Sequence, residues 1–234
     1  MPYDARAVLF DAGATLLLPT ADIPDVYLRE AQAVGAEPDR DAFRAHMAAR
    51  WTALRTSTAS PEALRTSEDD EREMWRRFTA EVAAPFPDLM ARHEEWLHRL
   101  VTWFDGAKAW APAPGALTLL RDLRARHIRV GIVSNWHGAL HGILDGLSLR
   151  TLVDFVLVSS DHGWRKPHPS IFAAALVAAN AGAEETVHVG DCLRDDVAGA
   201  TRAGIRPILV ASERPDGIPD SVRVVPGLEA LVAD

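Results

Sequence analysis

Four short runs of apolar residues stand out along the chain because each ends in small or polar residues. The runs cover residues 7–10, 130–133, 155–158 and 187–189. Apolar stretches of this length, bounded by turn-forming residues, are typical of buried strands. A helical leucine pattern begins at Leu117 and precedes the second run, and strands that alternate with helices indicate a parallel sheet. The pattern therefore predicts an α/β protein built on a parallel sheet.

The stretch from residue 22 to residue 104 has a different pattern, because none of it resembles a strand. Helices are predicted to begin near Asp22, Asp39, Pro61 and Pro87, residue types that are common at helix starts. Five of the seven tryptophans lie in or just after this stretch, and aromatic residues at helical spacing favour a packed core over a ligand platform. The five are Trp51, Trp75, Trp96, Trp103 and Trp110.

The proline-rich segment 109–115 predicts a hinge where the chain returns from this helical stretch. We therefore predict a core of residues 1–19 and 109–234, with a helical cap of residues 20–108 inserted after the first strand. Beyond the core strands, residues 211–219 predict a surface loop, residues 222–225 a short strand-like run and residues 227–232 a closing helix.

Composition narrows the class of protein. The chain has 234 residues, 48% hydrophobic and 25% charged, with a net charge of −8, which argues against a nucleic-acid surface. No secretory signal or membrane-spanning run is visible. The single cysteine, Cys192, cannot form an internal disulfide, and a packed thiol is favoured over a redox role. These features predict a cytoplasmic protein, monomeric or homodimeric, with no membrane or nucleic-acid partner.

Polar residues follow the predicted strands where each strand ends. Asp11 follows the first run, Ser134 and Asn135 follow the second, Lys166 comes shortly after the third and Asp191 follows the fourth. Taken alone, Asp11 would more simply cap the next element. Because the carboxyl ends of parallel strands share one edge of the sheet, where open α/β sheets bind ligands, the repetition instead indicates a site.

At these positions the chain resembles the haloacid dehalogenase (HAD) superfamily of hydrolases. Its four motifs occur in order: Asp-x-x-x-Thr-Leu at residues 11–16, Ser-Asn at 134–135, Lys-Pro at 166–167 and Gly-Asp-x-x-x-x-Asp at 190–196. The resemblance covers about residues 5–19 and 112–233, whereas the segment between is similar only in length and helical character. Residues 163–172 and 189–204 are similar to the phosphatase-like branch with an all-helical (C1-type) cap.

The resemblance implies a Rossmann-like parallel sheet core with helices on both faces and an inserted all-α cap. It also implies a Mg²⁺-dependent phosphohydrolase of small phosphorylated molecules, in which Asp11 forms an aspartyl-phosphate assisted by Lys166 and Ser134. Thr15, Asn135 and Trp136, with Ser134 and Lys166, would bind the phosphoryl group or substrate.

The implied Mg²⁺ ligands are Asp11, the Gly13 carbonyl, Asp191 and Asp196. A cation is also expected on physical grounds, because two like charges about 4 Å apart repel by roughly 4 kcal/mol at an effective dielectric near 20. Oxygen ligands suit Mg²⁺. Spacing alone does not decide between Asp195 and Asp196, and the family pattern favours Asp196.

Four histidines and two tryptophans lie on the loops beside the predicted site. His137, His141, His162 and His168 lack a carboxylate at metal-ligand spacing, so we interpret them as surface or pocket residues rather than a zinc site. For Trp136, a pocket wall and a packing role are equally favoured. For Trp164, packing between loops is favoured.

Gly13 is the departure from the family pattern. Most phosphatases of the superfamily have Asp-x-Asp-Gly-Thr, whereas residues 11–15 read Asp-Ala-Gly-Ala-Thr, so the usual general acid and base is absent. Proton transfer of this kind contributes typically about 10²–10⁴-fold in rate. Three alternatives follow from this absence. The natural leaving group needs little protonation, or a cap residue or a water donates the proton. In the third alternative, the chain is a weak enzyme or a binding domain for a phosphorylated ligand or partner protein. A 2-haloacid dehalogenase is less favoured, because Gly13 and Gly190-Asp191 replace the Tyr and Ser-Asn usual there.

Overall fold

The computed structural model describes residues 4–56 and 64–232. The helix start predicted near Pro61 lies outside the described residues. The strands are β1 (Ala7–Phe10), β2 (Leu17–Pro19), β3 (Trp110–Pro112), β4 (Arg129–Ser134), β5 (Phe155–Val158), β6 (Thr186–Gly190), β7 (Arg206–Val210) and β8 (Arg223–Val225). The helices are α1 (Ile23–Ala33), α2 (Arg40–Thr56), α3 (Glu68–Ala83), α4 (Pro87–Met90), α5 (His93–Phe104), α6 (Ala116–Ala125), α7 (Ala139–Gly146), α8 (Ser159–His162), α9 (Pro169–Ala179) and α10 (Gly199–Arg202).

Six strands form one parallel sheet in the order β5-β4-β1-β6-β7-β8. The four apolar runs are four of these strands, so the predicted parallel α/β core is confirmed. The sequence did not single out β7, because Pro207 interrupts its apolar pattern and proline is unfavourable inside a sheet. The predicted closing helix is wrong in type: the structure has one 3₁₀ turn, Leu228–Leu231, after β8.

Helices cover both faces of the sheet, as predicted. Alternate residues of β1 point to opposite faces, so Val8 and Phe10 pack in one apolar cluster with α6 and α7. Leu9 packs on the other face with Ile171 and Phe172 of α9. Burial on both faces explains why the central strand β1 is apolar at every position rather than at alternate ones.

Helices α1 to α5 form a second apolar cluster, separate from the clusters on the sheet. The tryptophans of these helices pack there: Trp96 is fully buried and donates to the Tyr27 carbonyl at 3.1 Å, and Trp51 stacks on Trp75. The core-packing interpretation of these aromatics is therefore confirmed. We call the described residues from 20 to 108 the helical insert.

Local capping explains where the insert helices begin. Asp22 accepts from the backbone N–H of Asp25 at the start of α1, and Asp39 accepts from Ala42 at the start of α2. The sequence did not predict the start of α3 after Ser67, whose hydroxyl accepts from the Asp70 N–H at 3.2 Å. The single helix expected from Pro87 is two helices, because α4 ends at Met90 and α5 begins at His93.

The chain enters and leaves the insert through β2 and β3, which pair as an antiparallel ribbon. A third connection joins the insert to the loop that carries Lys166. The Thr66 N–H donates to the Gly163 carbonyl at 3.1 Å, and the Arg165 N–H donates to the Leu64 carbonyl at 2.9 Å. Within the described residues, no helix combines the length and apolar composition that a bilayer crossing requires.

Candidate active site

Three neighbouring strands bring polar residues to the carboxyl edge of the sheet. Asp11 follows β1, Ser134 ends β4 and Asp191 follows β6. Because β1 lies between β4 and β6, residues separated by up to 180 positions become neighbours. The sequence prediction that these residues converge agrees with the geometry.

Lys166 is the centre of the hydrogen-bond network at this edge. Its Nζ lies 2.7 Å from Asp11 Oδ1 and 2.6 Å from Asp196 Oδ1. The Ser134 hydroxyl donates to the same Asp11 oxygen at 2.8 Å. All four side chains are buried, so these are charge-assisted bonds in a region of low dielectric, where both their strength and the cost of losing one partner are large.

The carboxylates of Asp11, Asp191 and Asp196 form an acidic cluster. One oxygen from each lies within 4.8 Å of the others. Asp195 faces elsewhere, accepting from Asn135 Nδ2 at 3.3 Å and from Arg194 Nε at 2.7 Å. The geometry therefore groups Asp196, and not Asp195, with the other two carboxylates.

The pKa values of this network follow from burial and charge. Burial, together with the charge of Asp196, raises the pKa of Asp11 despite the nearby Lys166 ammonium. Burial works in the same direction on Asp196, but Lys166 and a hydrogen bond from His188 outweigh it and lower the pKa of Asp196. Burial would lower the pKa of Lys166, yet the two carboxylates raise it. Lys166 is therefore charged, and Asp11 retains a repulsion that a cation would relieve.

Gly190 is required by the close approach of Asp196. A Cβ at residue 190 would lie 2.2 Å from the Asp196 Cγ, a distance no packing can accommodate. The glycine of the Gly-Asp-x-x-x-x-Asp motif thus lets the second carboxylate lie directly against the end of β6. The backbone N–H of Cys192 completes the contact by donating to Asp196 Oδ2 at 3.0 Å.

His188 is a site residue that the sequence reasoning missed. It lies on β6, fully buried, and its Nε2 is 2.8 Å from Asp196 Oδ1. Because Asp196 is ionised, Nε2 carries the hydrogen and donates it. The ring packs edge-on against Phe172, and Nδ1 has no partner among the described residues. The available signal was a histidine in the middle of an otherwise apolar central strand.

Asn135 and Thr15 have different surroundings from each other. The Asn135 side chain holds the loop before α9, accepting from the Lys166 N–H at 2.6 Å and donating to the Lys166 carbonyl at 3.0 Å. It therefore fixes the backbone of Lys166. Thr15 is buried, and its hydroxyl has no partner among the described residues.

Trp136 lies over Gly13. A Cβ built at residue 13 would lie 3.3 Å from Cζ3 of the Trp136 ring. Gly13 has no left-handed backbone angle; that conformation belongs to Ala14, with φ of 55°. A side chain at residue 13 would therefore require the indole to shift by a few tenths of an ångström, and a positive φ is excluded as the reason for glycine at this position.

Two of the four loop histidines have acidic partners that lie far from them in the sequence. His137 Nε2 lies 3.0 Å from Asp105 at the end of α5, and His141 Nε2 lies 3.0 Å from Asp161. These partners are distant in sequence, so spacing along the chain could not reveal them. His162 and His168 both contact the Ser170 hydroxyl. Trp164 stacks on His168 with ring centres 4.0 Å apart.

The thiol of Cys192 is half-buried beside the acidic cluster. Burial and the charge of Asp195 raise its pKa, which disfavours the thiolate needed for nucleophilic or redox chemistry. This environment supports the packed-thiol interpretation.

Comparison with known proteins establishes the family. The family model for haloacid dehalogenase-like hydrolases matches residues 5–204, and the chain belongs to this family. The haloacid dehalogenase-like hydrolase domain-containing protein 3 of Bos taurus is 38% identical over 121 residues, which are 51% of this chain and 48% of that protein. A glyceraldehyde 3-phosphate phosphatase of Methanothermobacter thermautotrophicus is 33% identical over 129 residues, 53% of this chain and 54% of that protein. Such matches span about half the length of these curated relatives.

Solved structures agree on the fold. A HAD phosphatase from Thermococcus onnurineus superposes with a TM-score of 0.63 and 24% identity, covering 96% of this chain and 95% of that one. A structure described as a dehalogenase shares the same fold. The fold alone therefore does not distinguish a phosphatase from a dehalogenase.

Proposed function

We propose that the protein is a Mg²⁺-dependent phosphohydrolase that acts on a small phosphorylated molecule through an aspartyl-phosphate on Asp11. The observation that carries this proposal is the buried Asp11, which Lys166 and Ser134 hold at the sheet edge beside two further carboxylates. The phosphatase name of a 33% identical relative supports the same class of substrate.

The donor set fits a hard divalent cation. Carboxylate oxygens of Asp11, Asp191 and Asp196 lie within 4.8 Å of one another, and Lys166 alone does not balance three negative charges. Oxygen ligands of this kind hold Mg²⁺, with the Gly13 carbonyl as a further ligand. When bound, Mg²⁺ would offset charge on the phosphoryl oxygens and on Asp11.

The chain's own residues orient the nucleophile. Among the described residues, both side-chain donors to Asp11 bond Oδ1, so Oδ2 keeps its lone pairs for bonding elsewhere. An oxygen of Asp11 attacks phosphorus, the bond from phosphorus to the leaving oxygen breaks, and that oxygen takes the electron pair. Water then attacks the same phosphorus, the bond to Asp11 breaks, and inorganic phosphate leaves. Covalent catalysis of this kind divides one difficult displacement into two.

The insert is proposed to act as a lid over this site. It contacts the core at the loops that carry the site: Glu68 Oε2 accepts from the Gly138 N–H at 3.1 Å, and the buried Glu71 accepts from the Ser159 hydroxyl at 3.3 Å. Hinging at residues 17–21 and 106–112 would open it, and such motions commonly gate substrate entry. The domain limits predicted above are retained, as are the cytoplasmic location and the monomeric or homodimeric state.

The second candidate is a catalytically impaired domain that binds a phosphorylated ligand or a partner protein. The specific observation in its favour is Gly13, where the indole of Trp136 occupies space near the missing carboxylate. Dehalogenation is less favoured, because attack on carbon needs no cation, whereas this site gathers three carboxylates.

Turnover of an activated aryl phosphate, with and without Mg²⁺, separates these candidates. We expect Mg²⁺-dependent phosphate release that Asp11→Asn abolishes, with Asp145→Asn, an exposed carboxylate on α7, as the matched control. Release no greater than that of Asp11→Asn would favour the binding domain. Chloride release from a 2-haloacid without Mg²⁺ would favour the dehalogenase. A screen of phosphorylated metabolites would then define the substrate.

A further inference from the structure

Trp136 is fixed in place from two directions. Its backbone N–H donates to the Ser159 hydroxyl at 3.1 Å. Its ring packs edge-on against Trp110 of β3, with centroids 4.9 Å apart and planes at 67°. Trp110 is held in turn, since its Nε1 donates to the Phe104 carbonyl at 2.8 Å. The indole position is therefore determined by the fold and not by a flexible loop.

The same ring takes the space beside residue 13. The 3.3 Å separation between Trp136 Cζ3 and a Cβ at Gly13 is tighter than ordinary carbon contact, so the indole would have to shift by a few tenths of an ångström to admit a side chain at residue 13. Trp136 is only partly buried, so part of this residue remains exposed to solvent. The indole therefore lies beside residue 13, the position where the family pattern has its second aspartate.

We infer that Gly13 and Trp136 form one unit that selects phosphate esters with planar leaving groups able to depart without a proton, such as aryl or enol phosphates. This inference rests on the proposed function and names its substrate class. The bond from phosphorus to oxygen breaks as Asp11 attacks, and the departing aryloxide or enolate keeps the electron pair and takes its proton from solvent. An aromatic surface holds a planar group by stacking, which contributes about 1–3 kcal/mol in comparable ring–base contacts.

The titratable side chain next to Trp136 along the chain is poorly placed to supply a proton. His137 follows it directly, but its Nε2 is bound to Asp105 and its Nδ1 is buried without a partner among the described residues. A buried nitrogen with no access is a poor donor to a leaving group. His137→Gln therefore provides a direct test of the alternative in which this histidine protonates the leaving oxygen.

The test is a double-mutant cycle on Gly13 and Trp136, with kcat and KM measured for substituted phenyl phosphates and for alkyl phosphates. Wild type should prefer phenyl phosphates, with kcat/KM falling as the leaving group becomes less acidic. Trp136→Ala should raise KM for phenyl phosphates by about 5–150-fold, the stacking contribution above. Trp136→Phe should retain most of the phenyl preference, which a purely structural role of the indole would not predict.

Gly13→Asp alone should gain little, because its Cβ meets the indole. Gly13→Asp with Trp136→Ala should raise kcat for alkyl phosphates by about 10²–10⁴-fold over Trp136→Ala alone, the usual contribution of general acid catalysis. The melting temperature of each variant, and its shift on addition of Mg²⁺, would be compared with the wild type. Only folded variants that respond to the metal then enter the cycle.

Distinct outcomes separate the two levels of the proposal. No turnover above Asp11→Asn in the wild type would overturn the proposed function and this inference together. Wild-type turnover with an unchanged phenyl preference in Trp136→Ala would overturn the inference alone. Loss of alkyl phosphate turnover in His137→Gln, with phenyl phosphate turnover retained, would also overturn it, because a proton donor would then be present.

Discussion

The two sides of the candidate site are built from different interactions. On the side of the nucleophile, Lys166 and Ser134 bond Asp11 at 2.7 and 2.8 Å, and every side chain involved is buried. On the other side, Gly13 offers no side chain, and the partly exposed Trp136 provides van der Waals contact alone. One side is fixed by charge and the other by shape. Substitutions on the nucleophile side should therefore have large effects on activity, whereas substitutions at Gly13 and Trp136 should mainly change which substrates are preferred.

This difference also separates stability from specificity. Removing a buried carboxylate costs a large free energy where the folded protein favours its charged form, as it does for Asp196. The cost is absent where burial and a like charge oppose ionisation, as they do for Asp11. An aromatic surface can be exchanged for another at a small cost if the volume is preserved. A chain that keeps the first side intact can thus change its substrate by altering the second.

Removing the nucleophile should have the largest effect on activity. Asp11→Asn is expected to lower turnover by on the order of 10⁴-fold or more, as for other nucleophiles that act in a unit. The free energy of unfolding should nevertheless rise in metal-free buffer at neutral pH. The pKa of Asp11 is raised by burial and by Asp196, so the folded state prefers its neutral form, and that preference is lost as the pH rises through the folded pKa.

Urea denaturation of Asp11→Asn, without and with Mg²⁺, provides the measurement. A variant that is both inactive and less stable than the wild type without metal would contradict the charge-repulsion account. It would indicate instead that the ionised Asp11 is needed to hold Lys166.

The adjacent pair Asp195 and Asp196 offers a sharper comparison, since only one faces the cluster. Asp196→Asn should reduce stability by roughly 3–5 kcal/mol, because it removes one partner of a buried ion pair with Lys166. It should also abolish stabilisation by Mg²⁺. Asp195→Asn removes contacts at a partly exposed position and should cost about 1 kcal/mol or less. An equal loss of unfolding free energy in the two variants would contradict the assignment of Asp196 alone to the buried network.

His188 tests whether the nucleophile side extends into the sheet. His188→Leu removes the donor to Asp196 and should cost about 1.5–3 kcal/mol, the range for hydrogen bonds to charged groups. His188→Gln keeps an amide donor able to reach the same oxygen and should restore most of that loss. The Mg²⁺ concentration at half-maximal thermal stabilisation should rise in His188→Leu and return in His188→Gln. If both variants match the wild type in Mg²⁺ response, His188 serves packing alone.

Much of the core could be predicted from the sequence because its signals are local. Apolar runs that end in Asp11, Ser134 and Asp191 define both the strands and the sheet edge, so fold and site follow from one pattern. The ion pair of Lys166 with Asp11 was expected from the motifs. The role of His188 was not expected, because the sequence shows a histidine within a strand but does not show that it contacts Asp196.

Contacts between the insert and the core could not be predicted in the same way. The pairing of His137 with Asp105 depends on how α5 approaches the loop after β4, which no spacing in the chain encodes. The overlap of Trp136 with residue 13 depends on Trp110, contributed by the ribbon at the base of the insert. Local patterns give the elements, whereas their packing decides which side chains meet.

Ala14 lies between the two sides and should give the smallest effect. Its φ of 55° is left-handed, at the position where the family pattern has glycine. A left-handed conformation costs a non-glycine residue about 1–2 kcal/mol, and glycine loses about 0.5–1 kcal/mol more chain entropy than alanine on folding. Ala14→Gly should therefore stabilise the protein by roughly 0.5–1 kcal/mol, measurable by urea denaturation. Turnover and the preference for phenyl phosphates should not change, because residue 14 contributes only backbone shape to this turn. A gain in stability accompanied by altered preference would mean that the strained turn itself positions Gly13 against Trp136, and the two sides of the site would then be coupled through Ala14.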